Sequence, residues 1–234
     1  MKQQDNVLQL DAAYPKLAKK ASDGMYCYVI QRRISPYISL FCVRKGITAN
    51  AATGIDMLFA ILAAWSLSQG HYVLGVILIQ TFSLWSCVDG EVARLTKSPS
   101  KLGDFYDTMT DRSAEFLIFA SVLYSMPSSA ISPSWGTLFF FYIGMVFLIT
   151  ASSEKFRSVY HKNYPKSEHE RVFSWLCAGS DTRFLYLCVA ILFYIFTGNA
   201  SVIEWLVMAL SFLLGINFIF RLWKISTFPI EVSD

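Results

Sequence analysis

The sequence predicts an all-α integral membrane protein, with six transmembrane helices preceded by an amphipathic helix lying in the membrane interface. Three observations point there. Apolar residues make up 54% of the 234 and charged residues only 16%, where a soluble domain carries about 25% charged residues. Six apolar segments each approach the roughly 20 residues needed to cross the hydrocarbon. The Lys and Arg residues are distributed unevenly among the connecting loops, as a membrane topology demands.

The elements follow in chain order. Residues 1–22 are polar and mixed, and MKQQDNVLQLDAAYPKLAKKASDG has no apolar core of signal-peptide length, so no cleavable export signal is expected. In residues 23–45, Tyr26, Val29, Ile30, Ile34, Tyr37, Ile38 and Phe41 recur at three- and four-residue steps, while Arg32, Arg33, Arg44 and Lys45 stay polar. That pattern predicts the interfacial helix, kinked near Pro36. The spans are expected at about 49–69, 72–94, 104–126, 134–154, 182–198 and 202–223, broken at GITAN, QGH, TKSPSKLG, MPSSAISPS, the polar stretch 155–181 and TGNAS. The chain divides into residues 1–45, an N-terminal segment carrying the juxtamembrane helix, and residues 46–234, a six-helix membrane domain.

The loops QGH, MPSSAISPS and TGNAS carry no Lys or Arg. All 20 basic residues lie in the N-terminal segment, the second–third loop, the fourth–fifth loop, the C-terminal end or the adjoining helix ends. The positive-inside rule then places both termini and those two loops in the cytoplasm. The net charge of +3 belongs to this asymmetry rather than to nucleic-acid binding. Five cysteines form no CxxC pair and read as small buried residues or free thiols, not as a disulfide frame or zinc site. There is no P-loop, catalytic serine triad or nucleic-acid module.

The chemistry concentrates in SCVDGEVARLTKSPSKLGDFYDTMTDR, residues 86–112, between the second and third spans. Charges at such a depth are costly and usually functional. The spacing is Asp89-Gly90-x-x-Ala93-Arg94, eight residues, then Gly103-x-x-x-Asp107-x-x-x-Asp111. Asp89 and Ala93 share a helix face, as do Gly90 and Arg94, and Asp107 and Asp111 are i, i+4 neighbours. Pro99 in the short loop folds the two helices antiparallel, so three carboxylates converge near the membrane surface. Such a cluster repels itself unless a hard cation sits within it, and oxygen-only ligands suit Mg²⁺, Mn²⁺ or Ca²⁺. Gly90 and Gly103 leave room for a ligand to approach the backbone, and Arg94 offers a fork that matches a phosphate.

This D-G-x-x-A-R-x8-G-x3-D-x3-D pattern resembles that of the CDP-alcohol phosphotransferases, six-helix membrane enzymes. The resemblance extends over most of the chain and takes in the interfacial helix, the entry Ile47-Thr48-x-Asn50 and a basic region after the fourth span. The D-G-E-x-A-R variant with the earlier Asp23-Gly24 pair is most similar to the branch of inositol-phosphate-transferring synthases. The resemblance implies transfer of a substituted phosphate from a CDP-linked donor, such as CDP-diacylglycerol or a CDP-linked small alcohol, to an acceptor hydroxyl, with release of CMP. It implies two divalent ions, Mg²⁺ or Mn²⁺, on Asp89, Asp107 and Asp111, with Asp111 also the base for the acceptor. It further implies a cytidine-diphosphate pocket of Gly90, Ala93, Arg94 and Gly103, and a homodimer. Lys155, Arg157 and Arg183, at the cytoplasmic ends of the fourth and fifth spans, are candidates for an acceptor or lipid phosphate.

One position departs from the pattern: the family has a further Asp three residues before the D-G pair, where this chain has Ser86. Three consequences stand open. Ser86 serves as a metal ligand through its hydroxyl or carbonyl; Asp104, one turn from Asp107, compensates; or the protein binds CDP-ligands and turns over poorly. Asp104 also has an ordinary reading as the N-cap of the third span. Asp56, two turns into the first span, and Glu115, one turn beyond Asp111, read as inward-facing walls of the site. Asp181 and Arg183 read as a cap and its partner. His71, His161 and His169 read as loop residues. A small transporter is the rival class, but the acidic residues gather at one membrane face, whereas transporter sites lie near the midplane.

Overall fold

The structure, a computed structural model, describes residues 24, 26–126 and 135–228. Among them there are helices and no strands. A π-helical turn, Cys27–Gln31, leads into α1, Arg32–Arg44. The bundle helices are α2 (Ala49–Ser68), α3 (Tyr72–Trp85) with its continuation α4 (Val88–Leu95), α5 (Lys101–Ser125), α6 (Trp135–Tyr160), α9 (Ser180–Thr197) and α10 (Ser201–Ser226). Two short helices, α7 (Lys166–His169) and α8 (Arg171–Leu176), fold the loop between α6 and α9. His169 therefore closes a helical turn rather than lying in a loop.

Local chemistry sets the helix ends. The Thr48 side chain caps α2 by accepting from Ala51 N–H, and Ser100 caps α5 by accepting from Gly103 N–H at 2.9 Å. The cap of α5 is thus Ser100 and not Asp104, because the helix starts three residues earlier than its apolar run. The turn after α2 and the end of α9 fall on Gly70 (φ +77°) and Gly198 (φ +68°), left-handed positions that a Cβ would strain. Helix α6 runs six residues beyond the expected end of the fourth span, since nothing in ASSEKFRSVY breaks a helix.

Five segments are long and apolar enough to cross a membrane: Ala49–Ser68, Tyr72–Leu95, Trp135–Tyr160, Ser180–Thr197 and Ser201–Ser226. Helix α5 has the length but is not among them, because its 25 residues include Lys101, Asp104, Asp107, Asp111, Arg112 and Glu115. The buried core runs through the bundle from Ala60, Ala63 and Leu67 of α2 to Leu210 and Leu214 of α10. Helix α2 packs against α3, α4 and α5, α9 against α3 and α10, and α6 against α10. Outward faces carry large apolar side chains such as Phe140, Phe196, Phe212 and Ile219, the surface expected of helices solvated by lipid.

The amphipathic helix is present, with Pro36 inside it; Arg33, Arg44 and Lys45 are exposed, but part of its polar side turns into the bundle. Ile34, Tyr37 and Phe41 are exposed, whereas Arg32, Ser35 and Ser39 are buried against α4. Glu91, fully buried in α4, accepts from Arg32 at 2.7 Å, Ser35 at 2.6 Å and Ser39 at 2.5 Å. Glu91, two residues after Asp89, thus pins α1 to the bundle.

Candidate active site

The site forms where the second span breaks. Helix α3 ends at Trp85, Ser86 and Cys87 form the turn, and α4 restarts at Val88. This puts Ser86, Asp89, Gly90 and Arg94 on one side of a cavity, with Asp107 and Asp111 of α5 opposite. The cavity holds about 280 Å³ and is predominantly polar. Lys166, Arg112 and Ser153 contribute further polar groups to its wall.

Each carboxylate has identifiable partners. Asp89 is buried; its Oδ2 accepts from Thr53 of α2 at 2.7 Å and its Oδ1 from Gly90 N–H. Asp111 Oδ1 accepts from Ser86 Oγ at 3.2 Å, and its Oδ2 lies 3.6 Å from Arg112. Ser86 therefore acts toward the cluster as a hydroxyl donor. Asp56 of α2 is 1% exposed and its Oδ1 has no hydrogen-bond partner; its electrostatic neighbours are Asp111, Asp89 and Asp107. Among the described residues, no three His, Cys, Asp or Glu side chains stand close enough together, as placed, to hold a metal ion. The donor set is nevertheless all oxygen, and carboxylates that accept one bond per oxygen keep a second lone pair for a hard cation. The residues fit a divalent ion in chemistry, with side-chain rotation needed to close on it.

Other candidates have different placements. Gly103 does not line the cavity; a Cβ there would lie 3.0 Å from Ser100 Oγ and 3.5 Å from Asn50 Oδ1, so it seats the start of α5 against the start of α2. Ala93 also lies off the cavity wall, as do Lys155 and Arg157. Lys155 is exposed, and Arg157 pairs with Asp104 at 2.6 Å and with Glu154. Asp104 thus faces Arg157 and not the carboxylates. Arg183 lines the cavity, but its Nε and Nη2 hold the two oxygens of buried Glu115 at 2.6 and 2.8 Å and its Nη1 donates to Cys177 O. Tyr142 donates to the same carboxylate at 2.6 Å. Glu115 is therefore the anchor of a structural ion pair, a role its sequence position did not reveal.

Asp181 is not the partner of Arg183. Its Oδ2 accepts from Cys27 N–H at 2.6 Å, and Gly24 and Gly179 crowd around it so closely that a Cβ on either would lie within 2.2 Å of its oxygen. The segment entering α1 is thereby seated on the start of α9, closing one wall of the cavity. Asp23 lies outside the described residues. All five cysteines are buried and free, with Cys27 and Cys87 in contact, Sγ to Sγ 2.9 Å, beside the cavity.

Sequence reasoning missed Lys166, Arg112 and Ser153. Arg112 follows Asp111 directly, and its position on the helix carried the signal. Lys166 belongs to a loop whose fold no periodicity discloses. Burial and the neighbouring guanidiniums of Arg221 and Arg112 lower its pKa from the ordinary lysine range to about 8, against the opposing charge of Glu170.

The sequence model of the CDP-alcohol phosphatidyltransferase family matches residues 46–216. The chain belongs to that family. It is 31% identical over 180 residues to a bifunctional IPC transferase and DIPP synthase of Archaeoglobus fulgidus, covering 72% of this chain and 35% of that one. A protein of the same description from Thermococcus kodakarensis is 26% identical over 189 residues, 74% of this chain and 43% of the other. The chain spans less than half the length of these two relatives. An archaetidylinositol phosphate synthase of Pyrococcus horikoshii is 30% identical over 99 residues, 42% of this chain and 50% of that one. In fold, the chain matches a phosphatidylinositol phosphate synthase of Mycobacterium tuberculosis with CDP-DAG bound, with a TM-score of 0.68, 15% identity, and coverage of 86% of this chain and 98% of the other.

Proposed function

We propose that this family member transfers a substituted phosphate from a CDP-linked donor, CDP-diacylglycerol or a CDP-linked small alcohol, to an acceptor hydroxyl, releasing CMP, with a divalent cation required. One observation carries the reading: Ser86 of the α3–α4 turn, Asp89, Gly90 and Arg94 of α4, and Asp107 and Asp111 of α5 line the same polar cavity. The relatives named as inositol phosphate synthases favour a polyol phosphate such as inositol phosphate among the reactants. The reading includes α5 as a membrane span, which makes six, α1 in the interface, a cytoplasmic site and cytoplasmic termini, and the pairing of two copies that the resemblance implies.

In this scheme Asp89, Asp107, Asp111 and the Ser86 hydroxyl would hold Mg²⁺ or Mn²⁺. Bound there, the cation would neutralise the diphosphate and the charge that grows on the departing CMP. Arg94, one turn from Gly90, presents its guanidinium to the donor's phosphates, and a Cβ at Gly90 would sit 3.2 Å from its Nη1 and displace it. Asp111 Oδ2 accepts the proton of the acceptor hydroxyl as the in-line attack begins. Arg112 and Lys166 offer positive charge to an acceptor phosphate.

The test is CMP release by the full chain in nanodiscs, across CDP-linked donors and acceptor alcohols, with and without Mg²⁺ or Mn²⁺. Asp107→Asn and Asp111→Asn are each expected to lower turnover by at least about a hundredfold while melting behaviour is retained. Full activity in either would refute the assignment. A second reading has its own support: Ser86 meets Asp111 as a hydroxyl donor where the family has a metal-ligating carboxylate, which leaves an impaired enzyme that binds CDP-ligands. Ser86→Asp separates the two, since a large gain in CMP release favours impairment.

A further inference from the structure

We propose that Asp56 is the fourth carboxylate of the cation site and takes the place of the carboxylate that Ser86 lacks. This rests on the metal-dependent reading given above. Asp56 belongs to no part of the D-G-x-x-A-R pattern and comes from a different helix, α2. Its placement follows from Thr53, three residues earlier on the same helical face, whose hydroxyl already holds Asp89 at 2.7 Å. That bond turns the face of α2 toward α4 and α5, and Asp56 sits one turn deeper. There it is 1% exposed, with a buried Oδ1 that no donor reaches.

Its surroundings point to a cation. The groups that act on it electrostatically are the three motif carboxylates, Asp111, Asp89 and Asp107, and no basic side chain stands among them. A buried carboxylate beside like charges and without a donor is expensive to maintain in a structural role. Among the described residues, buried carboxylates outside the site have donors: Glu91 three, Glu115 Arg183 and Tyr142, Glu170 Arg221, and Asp181 the Cys27 N–H. Asp56 Oδ1 also has no existing bond to surrender on ligation, whereas both oxygens of Asp89 and Oδ1 of Asp111 do. The other candidate for compensation, Asp104, is half exposed and paired with Arg157. With Asp56, the site regains four carboxylates in spite of Ser86.

The experiment is a Mn²⁺ titration of the chelator-stripped full chain in detergent, read by electron paramagnetic resonance of the free ion, with melting temperature recorded with and without Mn²⁺. Asp56→Asn is expected to weaken Mn²⁺ binding by at least about tenfold and to shrink the Mn²⁺-induced rise in melting temperature. The metal-free melting temperature stays level or rises, because a buried like charge has been removed. Adding Ser86→Asp to Asp56→Asn is expected to restore binding. Ser86→Asp alone gives little gain, since the fourth carboxylate is already present; a tenfold gain would overturn the proposal even if Asp56→Asn failed to fold. Loss of binding in Asp107→Asn with none in Asp56→Asn defeats this inference and spares the metal reading. No Mn²⁺ binding by the unaltered chain defeats both.

Discussion

Lys166 illustrates how position within the fold alters a single side chain. It stands on the cavity wall in a short helix, half-buried, with Arg221 and Arg112 near enough to disfavour its charge. Its folded pKa of about 8 lies below the ordinary 10.5, so the unfolded chain binds the extra proton between those values. Stability should therefore rise with pH across that window, and the cost of the charged form is fully present below pH 8. An anionic ligand held by Lys166 has the opposite dependence, binding best below about pH 8 and weakening above it. Measured KM for a phosphate-bearing acceptor should climb as pH passes through 8, and Lys166→Gln should flatten that climb with a higher KM at pH 7. A pH-independent KM would remove Lys166 from the acceptor site.

At the scale of elements, the joins between helices rest on a few buried ions. Arg221, at the end of α10, is fully buried; it donates to both oxygens of Glu170, to Ile149 O at 3.0 Å and to Ser153 Oγ at 2.8 Å, and it lies over the Tyr164 ring. One side chain thus ties α10, α6 and the α7–α8 loop, which brings Lys166 to the cavity. Removing it strands a buried carboxylate, so Arg221→Ala should cost about 3–5 kcal/mol of stability. Unfolding by denaturing detergent would measure this. Arg221→Ala with Glu170→Ala should recover part of the loss, because no unpaired charge then remains; equal stability of the single variant and the parent would exclude the anchoring role.

For the whole molecule, the prediction concerns orientation. All five native cysteines are buried, so the chain offers a quiet background for a membrane-impermeant thiol reagent. Ser98→Cys, in the exposed loop between α4 and α5, should label only from the cytoplasmic side, and Asn199→Cys, exposed between α9 and α10, only from the opposite side. The reverse pattern would invert the topology and remove the site from cytosolic substrates. The same experiment tests α5 as a span, because six crossings place the two loops on opposite faces. Hydropathy alone does not decide this, since the acidic residues that make α5 interesting are those that lower its apolar score.

The sequence by itself determined the helical membrane class, the positions of the bundle helices to within a few residues apart from the longer α6 and the break after Trp85, and the D-G-x-x-A-R spacing. Those features are local: apolar run length, helical periodicity and loop breakers all act within a few turns. Tertiary structure alone decided which charges face the cavity and which serve as anchors. Glu115 reads in sequence as a wall of the site and Asp181 as the partner of Arg183, yet the groups that hold Glu91, Glu115 and Asp181 lie 59, 68 and 154 residues away. Asp56 reads in sequence as a wall of the site; the packing of α2 leaves it off the cavity lining but beside Asp89 and Asp111. A carboxylate's role depends on which donors reach it, and over such separations only the packing of the helices settles that.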